Sequence, residues 1–329
     1  MGLAYVNDHS VWASEGNSGK VSLFDWSAAR RRSIDLNQNG FKDSYTGELA
    51  LDAERNLLYV VDQANFRVAV VDLRTRAVVA SVRVGRLPFA LALSPDRNKL
   101  YVTNIGTFEY KLIRGVDPAQ AKTSGLPFPA FGFPGNEATT GAKRPTEKGE
   151  VDVPGLGDPN VQESNSLCVI DVSTPSAAKI AAFIRTGTPI GGNSFGGSAP
   201  AGVVATDDQI FVSNSGNDSI TIIDPKTNAV LGEVPIRIPG FETLRGVLPI
   251  GMAYDEKNGW LLVAEAGINA VAVIDVKTAA RSWTPAGGLV SHARGSRRRH
   301  RVRDQCQGSW YWPERSLRHI GHRLPKPCA

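Results

Sequence analysis

Leu58-Tyr59-Val60-Val61-Asp62-Gln63-Ala64-Asn65-Phe66-Arg67-Val68-Ala69-Val70-Val71-Asp72 is the stretch that decides the fold. Two β-branched apolar runs flank a short polar segment, and the second run ends on Asp. Such runs favour extended chain, and polar residues with Asn between them favour a turn, so the stretch predicts a hairpin. The pattern recurs along the chain. Trp12 to Asp25, Tyr59 to Asp72, Phe211 to Asp224 and Leu262 to Asp275 each place a bulky residue 13 positions before an Asp.

A fifth copy begins at Leu100-Tyr101-Val102-Thr103-Asn104, but its Asp is Asp171, 70 residues on. That unit therefore carries an insertion of 57 residues, roughly 105–161. The bulky positions lie 47, 42, 110 and 51 residues apart, and removing the insertion brings 110 down to 53. A third extended run follows each Asp, as in Ala229-Val230-Leu231-Gly232-Glu233-Val234. A leading run precedes each unit, starting at Thr46, Pro88, Pro200 and Pro249. Four antiparallel strands repeated at this period predict an all-β chain, a β-propeller of four-stranded blades with five blades legible and the ring incomplete. The chain's first residues are read as starting inside a blade.

The string Tyr101-Val102-Thr103-Asn104 resembles the repeat that names the YVTN-type, YncE-like bacterial propellers. The resemblance covers about residues 1–280. It implies a lactonase-like propeller of about seven blades. It further implies a subgroup of larger periplasmic or secreted proteins in which the propeller precedes a metal-dependent phosphoesterase domain similar to alkaline phosphatase.

Composition supports a folded chain with a basic end. Of 329 residues, 42% are hydrophobic, and the formal net charge is +5. Residues 281–329 hold 11 Lys and Arg against only Asp304 and Glu314, so the rest of the chain is net acidic. That distribution argues against a specific nucleic-acid surface on the propeller. No apolar run is long enough to span a membrane as a helix, and the N-terminus lacks the basic-then-apolar pattern of a secretory signal. Cys168 is the one cysteine before position 280, within a strand-like run, and reads as a small core residue.

Repeat logic stops after Lys277-Thr278. Shifting the reading frame by one base, with permissible codons, turns Arg298 to Glu314 into GDTVYVTNAKGxGTGPN. The new Tyr falls at Val302, 40 residues after Leu262 and close to the repeat period. Trp310 before Tyr311, and Trp312 before Pro313, must each give Gly in that frame. Residues 281–329 are accordingly read as a non-native, disordered frameshift product of the next blade. Cys306, His319, His322 and Cys328 do not have the spacing of a zinc set. Arg297-Arg298-Arg299-His300-Arg301 would attract polyanions by charge alone.

Propeller ligands usually meet loops at the channel mouth. Arg86, Asn104, Asn214, Arg245 and Glu265 lie at strand ends or in leading loops and are the candidate ligand-binding residues. The Asp series recurs once per blade and reads as turn architecture. His9 reads as a surface residue, and Gly191-Gly192-Asn193-Ser194-Phe195-Gly196-Gly197 as a flexible loop. The insertion, rich in Pro and carrying Phe128, Phe131 and Phe133, shows no strand or helix periodicity and is expected to cover the mouth or meet a neighbouring domain. No nucleophile elbow or phosphate loop is present, and neither a catalytic residue, a metal nor a cofactor is assigned. The expected function is a non-catalytic binding or scaffolding propeller, binding a small molecule or protein at its channel face and truncated from a larger extracytoplasmic protein. The alternative is a lactonase-like hydrolase acting in the channel.

Overall fold

The computed structural model describes residues 2–109, 139–146, 149–191, 194, 196–238, 240–277 and 281–285. They form five four-stranded antiparallel sheets, the blades of a β-propeller. Blade one is β1 (Leu3–Asn7), β2 (Ser10–Ser14), β3 (Lys20–Asp25) and β4 (Arg30–Asp35). Blade two is β5 (Thr46–Asp52), β6 (Leu57–Asp62), β7 (Arg67–Asp72) and β8 (Ala77–Arg83). Blade three opens with β9 (Pro88–Leu93) and β10 (Lys99–Asn104). A separate hairpin follows, β11 (Gly141–Thr146) with β12 (Gly149–Pro154), and the blade then finishes with β13 (Ser166–Asp171) and β14 (Lys179–Arg185). Blade four is β15 (Pro200–Ala205), β16 (Ile210–Asn214), β17 (Ser219–Ile223) and β18 (Val230–Pro235). Blade five is β19 (Pro249–Asp255), β20 (Trp260–Glu265), β21 (Ala270–Asp275) and β22 (Arg281–Pro285).

The first strands of successive blades touch one another, so they lie innermost. Packing follows the period-2 geometry of strands, which sends alternate side chains to opposite faces. In blade two, Leu58 and Val60 join Trp12 of blade one, whereas Tyr59 and Val61 join Leu91 and Leu100 of blade three. Tyr101 packs with Ile210 of blade four, and Phe211 with Leu261 of blade five. The bulky residue of each of the first four repeats is therefore the knob that enters the following blade. Four such clusters join five blades, and none among the described residues joins blade five to blade one.

The recurring Asp closes the turn after the third strand. Asp72 Oδ1 accepts the N–H groups of Arg74 and Thr75, and Asp224 Oδ1 those of Lys226 and Thr227. Asp25, Asp171 and Asp275 do the same for their own turns. A short polar side chain bonding its own backbone two residues on is what such turns require.

Three sequence expectations are revised. Blade one has its own innermost strand, so the described chain does not start inside a blade. The fourth strand of blade five, paired with β21, lies just past residue 280, beyond the boundary read from the repeat. The insertion contains a hairpin, Gly141 pairing with Pro154 through to Thr146 with Gly149. Its six-residue strands contain two prolines and only one short alternation, Val151 and Val153, too little to stand out as periodicity. The tail sets Cys306, His319, His322, Cys328 and Arg297 to Arg301 lie outside the described residues, as do Phe128, Phe131 and Phe133.

Candidate ligand surface at the channel mouth

Because four strands alternate in direction, the loop between strands two and three and the connection to the next blade share one end of every blade. All five sequence candidates, and the root of the insertion, sit at that end. The structure places them in two different settings, one buried and one at the surface.

Asn104, Asn214 and Glu265 close the second strands of blades three, four and five, and all three are fully buried. Asn104 Nδ2 donates to Ser166 Oγ across the sheet at 3.2 Å. Asn214 Nδ2 donates to Ser219 Oγ at 3.1 Å and Thr221 Oγ1 at 2.8 Å. These amides tie the second strand to the third rather than capping a turn. Blade two puts an ion pair at the same level. Arg67 Nε donates to Asp62 Oδ2 at 2.8 Å, with both side chains sealed from solvent. Arg67 also donates to Ser81 Oγ and the Leu36 carbonyl, and its guanidinium lies 3.6 Å from the centre of the Phe41 ring. A buried guanidinium is tolerable only when its donors are met like this.

Arg86 anchors the insertion. Its Nη1 donates to the carbonyls of Thr107 at 2.6 Å and Asp158 at 3.0 Å, and to Ser164 Oγ at 3.2 Å. The Arg86 N–H donates to Glu163 O, and Gly106 N–H returns to Arg86 O. One arginine thus grips both ends of the excursion. Asn160 extends the root sideways, exchanging two bonds with the Ile190 backbone in the next connection. Arg245 is exposed on the connection from blade four to blade five. That connection is held by Asp218, which the sequence reading did not single out; its carboxylate accepts the N–H groups of Gly246 and Leu248.

The exposed apolar surface at this end is built from different residues. Blades two to five each carry one extra residue near the start of the innermost strand, a β-bulge between Thr46 and Leu49, Pro88 and Leu91, Pro200 and Gly202, and Pro249 and Met252. Bulges re-aim side chains. At and just before them stand Tyr45, Leu87, Phe89, Leu248 and Ile250, exposed by 40%, 38%, 41%, 43% and 41%. Leu87, Ala199 and Leu248, each immediately before the leading proline, hold positive φ values of 48°, 45° and 52°. That conformation costs an L-residue about 1 kcal/mol, and strain of this kind gathers where function needs it. Two members of this apolar set, Leu87 and Leu248, thus sit on strained backbone. The sequence signal for them is the Leu-Pro pairs that follow Arg86 and Arg245.

One carboxyl shares this innermost layer. Glu48 sits in the bulge of β5, half-buried, and burial pushes its pKa up to about 7, with the Leu49 N–H working the other way. By register, its equivalents in the other blades are Gly2, Ala90, Gly202 and Gly251, so the layer offers one acid among small residues. His9 is exposed, and Cys168 is buried with its thiol pushed up to about 12 by desolvation. Among the described residues, no group of three or more His, Cys, Asp or Glu is arranged to hold a metal ion. No described helix is long and apolar enough to cross a membrane.

No family model matches the chain, and no curated protein matches it in sequence. Solved structures do resemble it. A candidate 6-phosphogluconolactonase of Bacteroides fragilis is 11% identical over 86% of this chain and 68% of its own, with a TM-score of 0.52. The Cps50 (Swd1) β-propeller domain of Myceliophteria thermophila is 12% identical over 80% of this chain, with a TM-score of 0.49; the match takes in 60% of that chain. The virginiamycin B lyase of Staphylococcus aureus is 13% identical over 86% and 84%, with a TM-score of 0.44. At these identities the likeness is one of fold.

Proposed function

We propose that this chain is a binding propeller whose ligand surface is the apolar rim of Tyr45, Leu87, Phe89, Leu248 and Ile250. The carrying observation is that these side chains stay exposed at matching positions of three blades, while Arg86, Asn104 and Asn214 near them are buried or engaged and Arg245 alone of the polar candidates stays exposed. Exposed apolar side chains gathered on one surface mark an interaction site. The ligand is a small molecule or protein segment with an uncharged apolar face. The YVTN resemblance supports a wider setting, a lactonase-like propeller of about seven blades in an extracytoplasmic protein with a phosphoesterase half. It also supports a shifted frame from about residue 280.

The test is titration with an environment-sensitive apolar dye. Phe89→Ser with Ile250→Ser should weaken binding severalfold and leave the melting temperature unchanged. Unchanged dye affinity would remove the rim from consideration. Sequencing the gene around codon 280 tests the wider setting, which fails if independent isolates share this frame.

A channel hydrolase is the second reading, and Glu48 favours it. A carboxyl held near neutral pH is suited to general acid–base work. Lactone hydrolysis abolished by Glu48→Gln would support this reading; turnover that survives the substitution would reject it.

A further inference from the structure

The two terminal blades differ from the three inner ones in a way that identifies an unfilled interface. In blades two, three and four, the second strand is buried almost end to end: all six residues of β6, Leu100–Asn104 of β10 and all five of β16. Both faces of those strands are covered. In β20 and β21 burial alternates strictly. Leu261, Val263, Ala270, Ala272 and Ile274 face blade four and are buried, while Trp260, Leu262, Ala264, Val271 and Val273 on the other face are not. Leu262 occupies the knob position. Its counterparts Trp12, Tyr59, Tyr101 and Phe211 are all buried in the following blade, being 3%, 0%, 1% and 2% exposed.

Glycine tells the same story on the innermost strand. A Cβ on Gly2 would meet the backbone of Gly47 and Glu48 in blade two, and a Cβ on Gly202 would stand 2.1 Å from the Ile250 carbonyl oxygen in blade five. In blades one and four the next blade's backbone leaves no room for a side chain at this position, whereas blades two and three accommodate Glu48 and Ala90 there. Gly251 repeats that position in blade five, and a Cβ there would meet nothing within 4 Å.

We infer that the outer face of blade five is the docking surface for a sixth blade, encoded after codon 280 of the same gene in the shifted frame. This rests on the frameshift reading above. With permissible codons that frame reads YVTN with its Tyr at position 302, 40 residues after the Leu262 knob. The segment between supplies chain for the innermost strand that would run past Gly251, as β19 runs past Gly202. The partner is a four-stranded blade presenting the alternation of Leu58 and Val60, or Leu100 and Val102, toward Leu262.

Trp260, 42% exposed on this face, is the reporter. The experiment compares the present chain with a chain extended by restoring the frame, each with and without Leu262→Glu. Acrylamide quenching assigned to Trp260, by difference from Trp260→Phe, should be strong in the present chain and fall severalfold in the restored one. Leu262→Glu should leave the melting temperature of the present chain unchanged and lower that of the restored chain clearly. Equal effects in both chains, or a Trp260 that stays open after restoration, would overturn the inference. Shielding of Trp260 in the present chain that grows with concentration would assign the face to a second copy instead, and so also overturn it. None of these outcomes depends on dye binding at the rim, which can fail or succeed separately.

Discussion

Gly202 lies against Ile250 so closely that a Cβ on the glycine would stand 2.1 Å from the isoleucine's carbonyl oxygen and 2.8 Å from Ser213 Oγ. Ser213 Oγ itself donates to that carbonyl at 2.7 Å. Blade four is thereby locked to blade five by backbone contact as well as by the Phe211 cluster. Gly202→Ala should force the two strands apart and cost about 1–3 kcal/mol, in line with other overpacked sites. Gly251→Ala in the same chain should change stability by less than about 0.5 kcal/mol. Urea unfolding of the two variants checks the difference, and equal losses would contradict the packing described here.

The Asp62–Arg67 pair is the one ion pair among those described with both side chains sealed from water. Arg67→Met leaves the Asp62 carboxylate buried with its Tyr45 N–H but without its cation. Breaking such a pair costs about 3–5 kcal/mol, much of it the stranded charge. Asp62→Leu combined with Arg67→Met should therefore lose much less than the two single losses added. A double-mutant cycle by chemical denaturation reads this directly.

Stability should bend with pH in two opposite ways. Asp25 is lowered to about 2 by the Ser27 hydroxyl and Arg31. Asp72 is lowered by the Thr75 and Arg74 N–H groups, Asp171 by the Ser173 hydroxyl and N–H, and Asp224 by the Lys226 N–H. A depressed carboxylate contributes stability that is present above its unfolded pKa, about 3.9, and is lost as pH falls through the folded value. Glu48 runs the other way, because its folded pKa is raised to about 7. Its contribution is complete below the unfolded pKa of about 4.3 and is lost as pH rises through neutrality. Melting temperature should fall between pH 5 and pH 8, and Glu48→Gln should flatten that fall without altering the acid limb. An unchanged slope in Glu48→Gln would show that Glu48 ionises freely in the folded chain.

Cys168 is buried within the second and third blades' shared core, and its thiol is pushed up to about 12. Only a thiolate reacts readily with thiol reagents. Of the three cysteines in the sequence, Cys168 should stay unlabelled at pH 8 and react at the rate of unfolding. Labelling faster than the loss of secondary structure would place it in a more open setting.

The frequency of strand formers and one fixed interval, bulky residue to Asp, were enough to locate the blades. Both are local properties: β-branching sets the extended backbone, and Asp sets the turn that follows. Leading strands at Thr46, Pro88, Pro200 and Pro249 came out of the same reading. The ligand surface was not legible in this way. Asn104, Asn214 and Glu265 look available in a string of letters because each follows a strand, yet parity turns them into the sheet, where a neighbouring blade covers them. Arg86 looks like a free cation and is consumed by carbonyls separated from it by up to 72 positions. Leu87 and Leu248 look like core residues and stay exposed on left-handed backbone just before the innermost strand. The sequence by itself determined the blades, since a blade is a contest between neighbouring residues. Which side chains a blade leaves open was decided only by the tertiary structure, because that depends on what the next blade brings against it.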